Sequence, residues 1–501
     1  MSKLSAVIES SVKSPLLESA DFCRNENVMI DFFKIEGPKE LSFMNFEIRG
    51  VVEGFYGTPW TMEKRREIIK FLGEHGYNLY IYAPKDDQLH RKRWRDMYDE
   101  NFKSEFSKLL VEGSAWGVTV VFSVSPGLAV KYSSDEDIDI MVSKFIEMAD
   151  VGVRSFALFY DDIPETLVHE EDMKEFTSLA QAQSFFANTV YRSLKEKVDG
   201  ISRFIVCPTQ YHAEEITEYM RTLGKEIDRE ISIMWTGSSV CSERISAENA
   251  RLAEMAFERK PLFWDNYPVN DAFMVPELHV GPYEGRAPEI VEHSEGIVLN
   301  PMIQPCASKI ALGSAAEFLS DPYGFEVEKS WSRAIKEIAP SCEKEMKIFC
   351  EYYLMSPVHR GQSKRLVDTR DSLELQVSQN SWSRVQELLM EEATRISESA
   401  EVLKKKLPAS LLEEIEPWIM EFSLWGKALR SASGIVSARL LKFAQTVTEE
   451  EISEILNLCT EAESALCELV KVDTISGGVL FRESIQEILI RAKGFTKLLP
   501  N

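Results

Sequence analysis

Metal-binding and redox motifs are missing from this sequence. Its 501 residues include 8 cysteines and 7 histidines, but no CxxC pair and no HExxH. That pattern argues against a zinc site and a disulfide framework, and it suits reduced thiols. No run approaches the roughly 18 consecutive apolar residues of a membrane span. The first ten residues contain Glu9 and no sustained apolar core, so a signal peptide is not expected and a cytoplasmic location is. Basic residues are also scarce: 57 Lys and Arg face 81 Asp and Glu, a net charge of -24. Such a field repels nucleic acid and anionic membranes, and favours a neutral or cationic substrate or a protein.

What is present is an alternation. Apolar, β-rich runs occur at Phe46 to Phe55, Tyr77 to Pro84, Thr119 to Pro126, Ser155 to Asp162, Arg203 to Thr209, Ile231 to Gly237, Pro261 to Asn266 and Gly296 to Pro301. Amphipathic stretches such as Met62 to His75 and Phe176 to Val198 separate them, and Gly76 and Gly117 stand where helices should end. Eight such units predict an α/β chain with a (β/α)8 barrel. A doubly wound sheet would need a GxGxxG turn after its first strand, and Gly54-Phe-Tyr-Gly57 is not one. The seventh connection, residues 267–294, is rich in proline and glycine and reads as a long loop, which such a fold tolerates when the loop is functional.

After Pro322 helical periodicity takes over, with Trp382, Val385, Leu389, Ala393 and Ile396 on one face and Thr448 to Glu451 as a capping box. The expected organisation is a short extension over 1–45, a catalytic barrel over 46–322 and an α-helical domain over 325–501. Within the extension, residues 28–35 read as a short strand.

In a barrel, chemistry gathers where strands end. Here the strand ends carry Glu53-Gly-Phe-Tyr-Gly57, Lys85-Asp-Asp87, Asp161-Asp162, Pro208-Thr-Gln-Tyr211, Trp235-Thr-Gly237, Trp264-Asp-Asn266 and Asn300. Each has a plainer reading. Lys85 to Asp87 also fits a solvated turn, Trp235 and Trp264 fit core aromatics, Asn266 and Asn300 fit turn or cap residues, and the aspartates fit caps or metal ligands. Their coincidence at one rim favours a sugar-processing site, in which rings stack on a pyranose and amides and carboxylates address its hydroxyls. Adjacent aspartates point to opposite faces of a strand, so Asp161 and Asp162 converge only where that alternation breaks. Two close carboxyls also repel, so one should hold its proton as a general acid.

Gly50-Val-Val-Glu-Gly-Phe-Tyr-Gly57, Tyr82-Ala-Pro-Lys-Asp-Asp87 and Phe156-Ala-Leu-Phe-Tyr-Asp-Asp-Ile163, followed by Cys207 to Tyr211, Trp264 to Asn266, Asn270-Asp271 and Leu299 to Pro301, resemble the signature segments of glycoside hydrolase family 84. This is the family of O-GlcNAcases and bacterial β-N-acetylglucosaminidases. The resemblance implies a retaining exo-hydrolase in which the substrate's own 2-acetamido group forms an oxazoline, a departure from the two-carboxylate scheme. It implies that Asp161 polarises the acetamide, Asp162 moves the protons and Tyr211 orients the acetamide oxygen. Gly54, Tyr56, Lys85, Trp264, Asn266, Asp271 and Asn300 would bind the sugar. No metal or cofactor is called for. The implied partners are β-N-acetylglucosaminides, O-GlcNAc proteins among them, and a second copy of the chain through the helical domain. Turnover of cell-wall or chitin fragments, or silent GlcNAc binding, are the alternatives.

Overall fold

The computed structural model describes residues 45–440 and 448–497, so the expected strand at 28–35 lies outside the described residues. Eight parallel strands close a barrel in sequential order. They are β1 (Ile48–Glu53), β2 (Leu79–Tyr82), β3 (Thr119–Val124), β4 (Ser155–Phe159), β5 (Arg203–Cys207), β6 (Ile231–Trp235), β7 (Leu262–Asp265) and β8 (Gly296–Leu299). Every strand falls inside its predicted run, and most stop one to three residues early. Most of the polar residues that end the runs lie past the last paired residue of their strand, at the rim, whereas Glu53 and Asp265 remain in the ladder.

Alternation along the strands separates two cores. Ile48, Val52, Leu79, Ile81, Ala157, Phe159, Met234, Trp264 and Val298 fill the barrel. Val51, Tyr80, Phe122, Phe156, Leu158, Trp235 and Phe263 pack outward against the helices. Helix Met62–Glu74 begins where the Thr61 side chain accepts from Lys64 N, and it buries Ile68, Ile69 and Leu72 as its spacing predicts. Gly117 closes helix Glu100–Trp116 at φ 69°, a left-handed cap that glycine adopts without steric cost. The helix expected from Phe176 starts later, at Leu179–Lys197, because Ser178 supplies the cap to Gln181 N.

Outward parity also explains Glu53. It is fully buried, and Arg65 of the first helix grips it with Nε and Nη2, both at 2.8 Å. The Tyr80 hydroxyl also donates to it. This carboxylate therefore belongs to the packing of β1 on its helix. Asp265 is the equivalent on β7, accepting from Arg286 Nε and the Tyr283 hydroxyl at 2.7 Å each. Those two partners sit in the long seventh connection, which is thereby tied down.

The last third of the chain is helical, and all described residues belong to one compact unit. Trp382, Val385, Leu389, Ala393 and Ile396 are buried in helix Trp382–Lys406, and the capping box at Thr448 and Glu451 forms. The core of this region runs on into Leu278 and Val280 of the seventh connection and Met302 and Ile310 after β8. Trp331 Nε1 donates to Val280 O at 2.8 Å and Trp418 Nε1 to Pro276 O at 3.0 Å. Among the described residues no helix is long and apolar enough to cross a membrane.

Candidate active site

A cavity of about 580 Å³ opens at the C-terminal ends of the strands, and all ten residues singled out in the sequence line it. Parity explains much of this. Gly54, Lys85, Asp161, Asn266 and Asn300 each continue the inward-facing series of their strand past its last ladder residue, and Trp264 is the inward residue of β7 nearest its end.

Asp161 and Asp162 behave differently. Asp161 is buried, its Oδ2 is paired with the Lys85 ammonium, and its Oδ1 has no partner among the described residues. A buried acceptor beside a cavity with nothing to accept from is matched to a donor on a ligand. By strict alternation Asp162 would point away. Its φ of 57° places it in the left-handed region and turns its carboxyl back to the mouth, the break in alternation that convergence requires. For a residue with a β-carbon this conformation costs about 1 kcal/mol or more, so neighbours must hold it. The Tyr56 hydroxyl donates to Oδ2 at 2.7 Å and the Tyr211 hydroxyl to Oδ1 at 2.9 Å. Arg91 spans both backbone carbonyls, at 3.4 Å from Asp161 O and 3.5 Å from Asp162 O.

Burial pushes the Asp162 pKa upward, but Lys85, the two tyrosine hydroxyls and Arg91 outweigh it, and the net direction is down. The general acid expected to keep its proton is therefore biased toward the carboxylate in the free site. Repulsion between the aspartates does not decide this, because Lys85 neutralises Asp161. Asp271 moves the other way, raised chiefly by burial and further by Asp162, against the Tyr56 N–H that it accepts at 2.7 Å.

The cavity floor is a chain of amides. Gly54 N donates to Asn300 Oδ1 at 3.2 Å, and Asn300 Nδ2 donates to Asn266 Oδ1 at 3.0 Å. Asn266 Oδ1 also accepts from Trp264 Nε1 at 2.7 Å. The Trp264 indole is thus fixed as a wall, and it leaves no room behind it, since a β-carbon on Gly54 would lie 2.4 Å from Trp264 Cζ2. Gly54→Ala should therefore push the ring into the cavity. If overpacking of about 1–3 kcal/mol falls on the bound state, KM rises roughly five- to 150-fold, measured beside an unchanged fold by circular dichroism. A KM equal to that of the parent would show the ring is free to move.

Two of the residues expected to bind the sugar also hold the aspartates: the Tyr56 hydroxyl donates to Asp162, and the Lys85 ammonium is paired with Asp161. Other contributors were not visible in the sequence. Val240, Cys241, Phe273 and Met274 line the mouth from loops whose apolar residues carry no chemical signal, and Arg360 reaches it from beyond the barrel. Arg360 is held there by Glu243 at 3.2 Å.

Comparison with known proteins finds relatives across the barrel and the helices that follow it. The family model described as beta-N-acetylglucosaminidase matches residues 49–351. The Protein O-GlcNAcases of Rattus norvegicus and Mus musculus are each 34% identical over 273 residues, which is 53% of this chain and 29% of theirs. The match thus spans less than a third of those relatives. Among solved structures, a mutant O-GlcNAc hydrolase of Thermobaculum terrenum superposes with a TM-score of 0.85 at 31% identity, over 90% of this chain and 96% of that one. A second, CpGH84B, gives 0.77 at 29% identity, over 88% and 77%.

Proposed function

The chain belongs to the beta-N-acetylglucosaminidase family, the glycoside hydrolases of family 84, and on that premise we propose that it is a retaining exo-β-N-acetylglucosaminidase acting on terminal β-linked GlcNAc, O-GlcNAc on Ser or Thr of proteins included. The observation that carries this reading is the unequal aspartate pair: one buried with an unmet acceptor beside Lys85, the other turned to the mouth and held by two tyrosines. In the first step the acetamide oxygen of the sugar attacks the anomeric carbon. Asp161 Oδ1 accepts the acetamide N–H and balances the charge that grows on the forming oxazoline. Asp162 gives its proton to the leaving oxygen, then takes one from the water that opens the ring. Two inversions leave the β configuration in place. The Tyr211 hydroxyl orients the acetamide oxygen, and Trp264 excludes water behind it.

Aryl β-N-acetylglucosaminides with zero to three fluorines on the acetyl group provide the test. Fluorine makes the carbonyl a poorer nucleophile, so kcat should fall steeply with each one, and the first sugar released should be the β anomer by NMR. A rate indifferent to fluorine would place the nucleophile on the protein, and no turnover of any β-GlcNAc glycoside would end the proposal. Parallel assays on a GlcNAc-serine peptide and on chitobiose separate glycoprotein from chitin substrates.

A further inference from the structure

Beneath the catalytic rim lies a buried polar cluster that the reaction scheme above leaves unused. The Thr209 hydroxyl donates to Tyr160 O at 2.8 Å, and it accepts from Gln183 Nε2 at 2.7 Å. Gln183, from helix Leu179–Lys197, is fully buried, and its Nε2 lies 3.1 Å from the Tyr132 hydroxyl, to which it donates. Its Oε1 accepts from the Tyr219 hydroxyl, whose oxygen in turn accepts from Thr209 N at 3.0 Å. Every polar atom of the Gln183 amide is engaged, and a fully satisfied buried network fixes the elements it joins.

What it joins gives it meaning. Tyr160 is the residue before the aspartate pair, and Thr209 stands two residues before Tyr211. The last paired residues of the β4–β5 ladder are Phe159 and Cys207, and its last main-chain bond runs from Tyr160 N to Cys207 O at 2.8 Å. Beyond that bond the Thr209 hydroxyl to Tyr160 O contact is the next cross-link between the two strand ends. Directly above, the Tyr211 hydroxyl meets Asp162 Oδ1 at 2.9 Å. Asp162 itself is held in a left-handed conformation that needs support from outside its own backbone.

We propose that Thr209 and Gln183 are positioning residues, which set the span between Asp162 and Tyr211 without touching substrate. This rests on the hydrolase reading above. The test is kcat and KM of Thr209→Val on a β-GlcNAc glycoside with an alcohol leaving group, in the parent and in a Tyr211→Phe background. Because small displacements of catalytic groups are costly, kcat should fall about tenfold or more while KM stays within about twofold. Thr209→Ser, which restores the hydroxyl, should recover most of that loss. With Tyr211→Phe already in place the same change should cost under about threefold, because coupled residues are not additive. Full kcat in Thr209→Val, an equal loss in both backgrounds, or no recovery with serine overturns the proposal. If Thr209→Val does not fold, Tyr219→Phe carries the same comparison at the network's outer edge, and full kcat there overturns it equally. An inactive parent would instead end the hydrolase reading.

Discussion

Asp162→Asn should lower kcat for glycosides with alcohol leaving groups by about 10²–10⁴-fold, the range for loss of a positioned general acid. An activated aryl leaving group needs no proton, so its first step should be nearly spared. Comparing the two substrates in one set of kinetics checks the assignment, and an equal loss on both would remove Asp162 from the role of acid. The same residue predicts an unusual pH dependence. In the free site Lys85, Tyr56, Tyr211 and Arg91 lower its pKa against the effect of burial. Once a substrate acetamide takes the Tyr211 hydroxyl, one of those supports is gone, and a sugar over the carboxyl excludes water. Both changes raise the pKa. Activity needs the protonated form, so it is lost as pH rises through that pKa. The alkaline limb should therefore lie at lower pH for kcat/KM, which reports the free enzyme, than for kcat, which reports the complex. Asp162→Asn should flatten that limb.

Asp161→Asn should act on every substrate alike. Charge develops on the acetamide whatever the leaving group, and removing a preorganised partner of such charge costs about 10²–10³-fold. The two leaving-group classes should fall by the same factor, in contrast with Asp162→Asn. A second consequence comes from Lys85, whose side chain is 2% exposed and whose ammonium is paired with Asp161. Neutralising Asp161 strands that charge, and breaking a buried pair from one side destabilises by about 3–5 kcal/mol. Thermal melting should show this loss, and rates should be compared at temperatures where both proteins are folded. A variant as stable as the parent would mean that water reaches Lys85.

Much of the site was legible because a strand has a period of two. Once the inward series of β1, β2, β4, β7 and β8 is known, Gly54, Lys85, Asp161, Asn266 and Asn300 follow, and the barrel itself follows from the count of apolar runs. The same rule turns Glu53 and Asp265 outward, yet at the level of composition they look like site carboxylates. Burial against Arg65 and Arg286, not residue type, distinguishes them. Alternation fails at Asp162, where a left-handed backbone was required but no glycine announced it. Sequence also said nothing of Arg91, Gln183 or Arg360. Each acts through a tertiary contact between elements distant in the chain, and a single polar residue on a helix or loop has no period to reveal it.

The clasp between the seventh connection and the helices has its own consequence for how the chain can be divided. Asp271 rides on a loop whose next turn is pinned from outside the barrel, by Trp418 at Pro276 and Trp331 at Val280. A chain cut after the last barrel helix would keep all eight strands but bare Leu278, Val280, Met302 and Ile310 to water. It would also release the segment that presents Asp271 to Tyr56 N. The eight strands are complete at Leu299, whereas the loop that carries Asp271 is braced by helices that follow them, so the helices are part of the pocket's foundations.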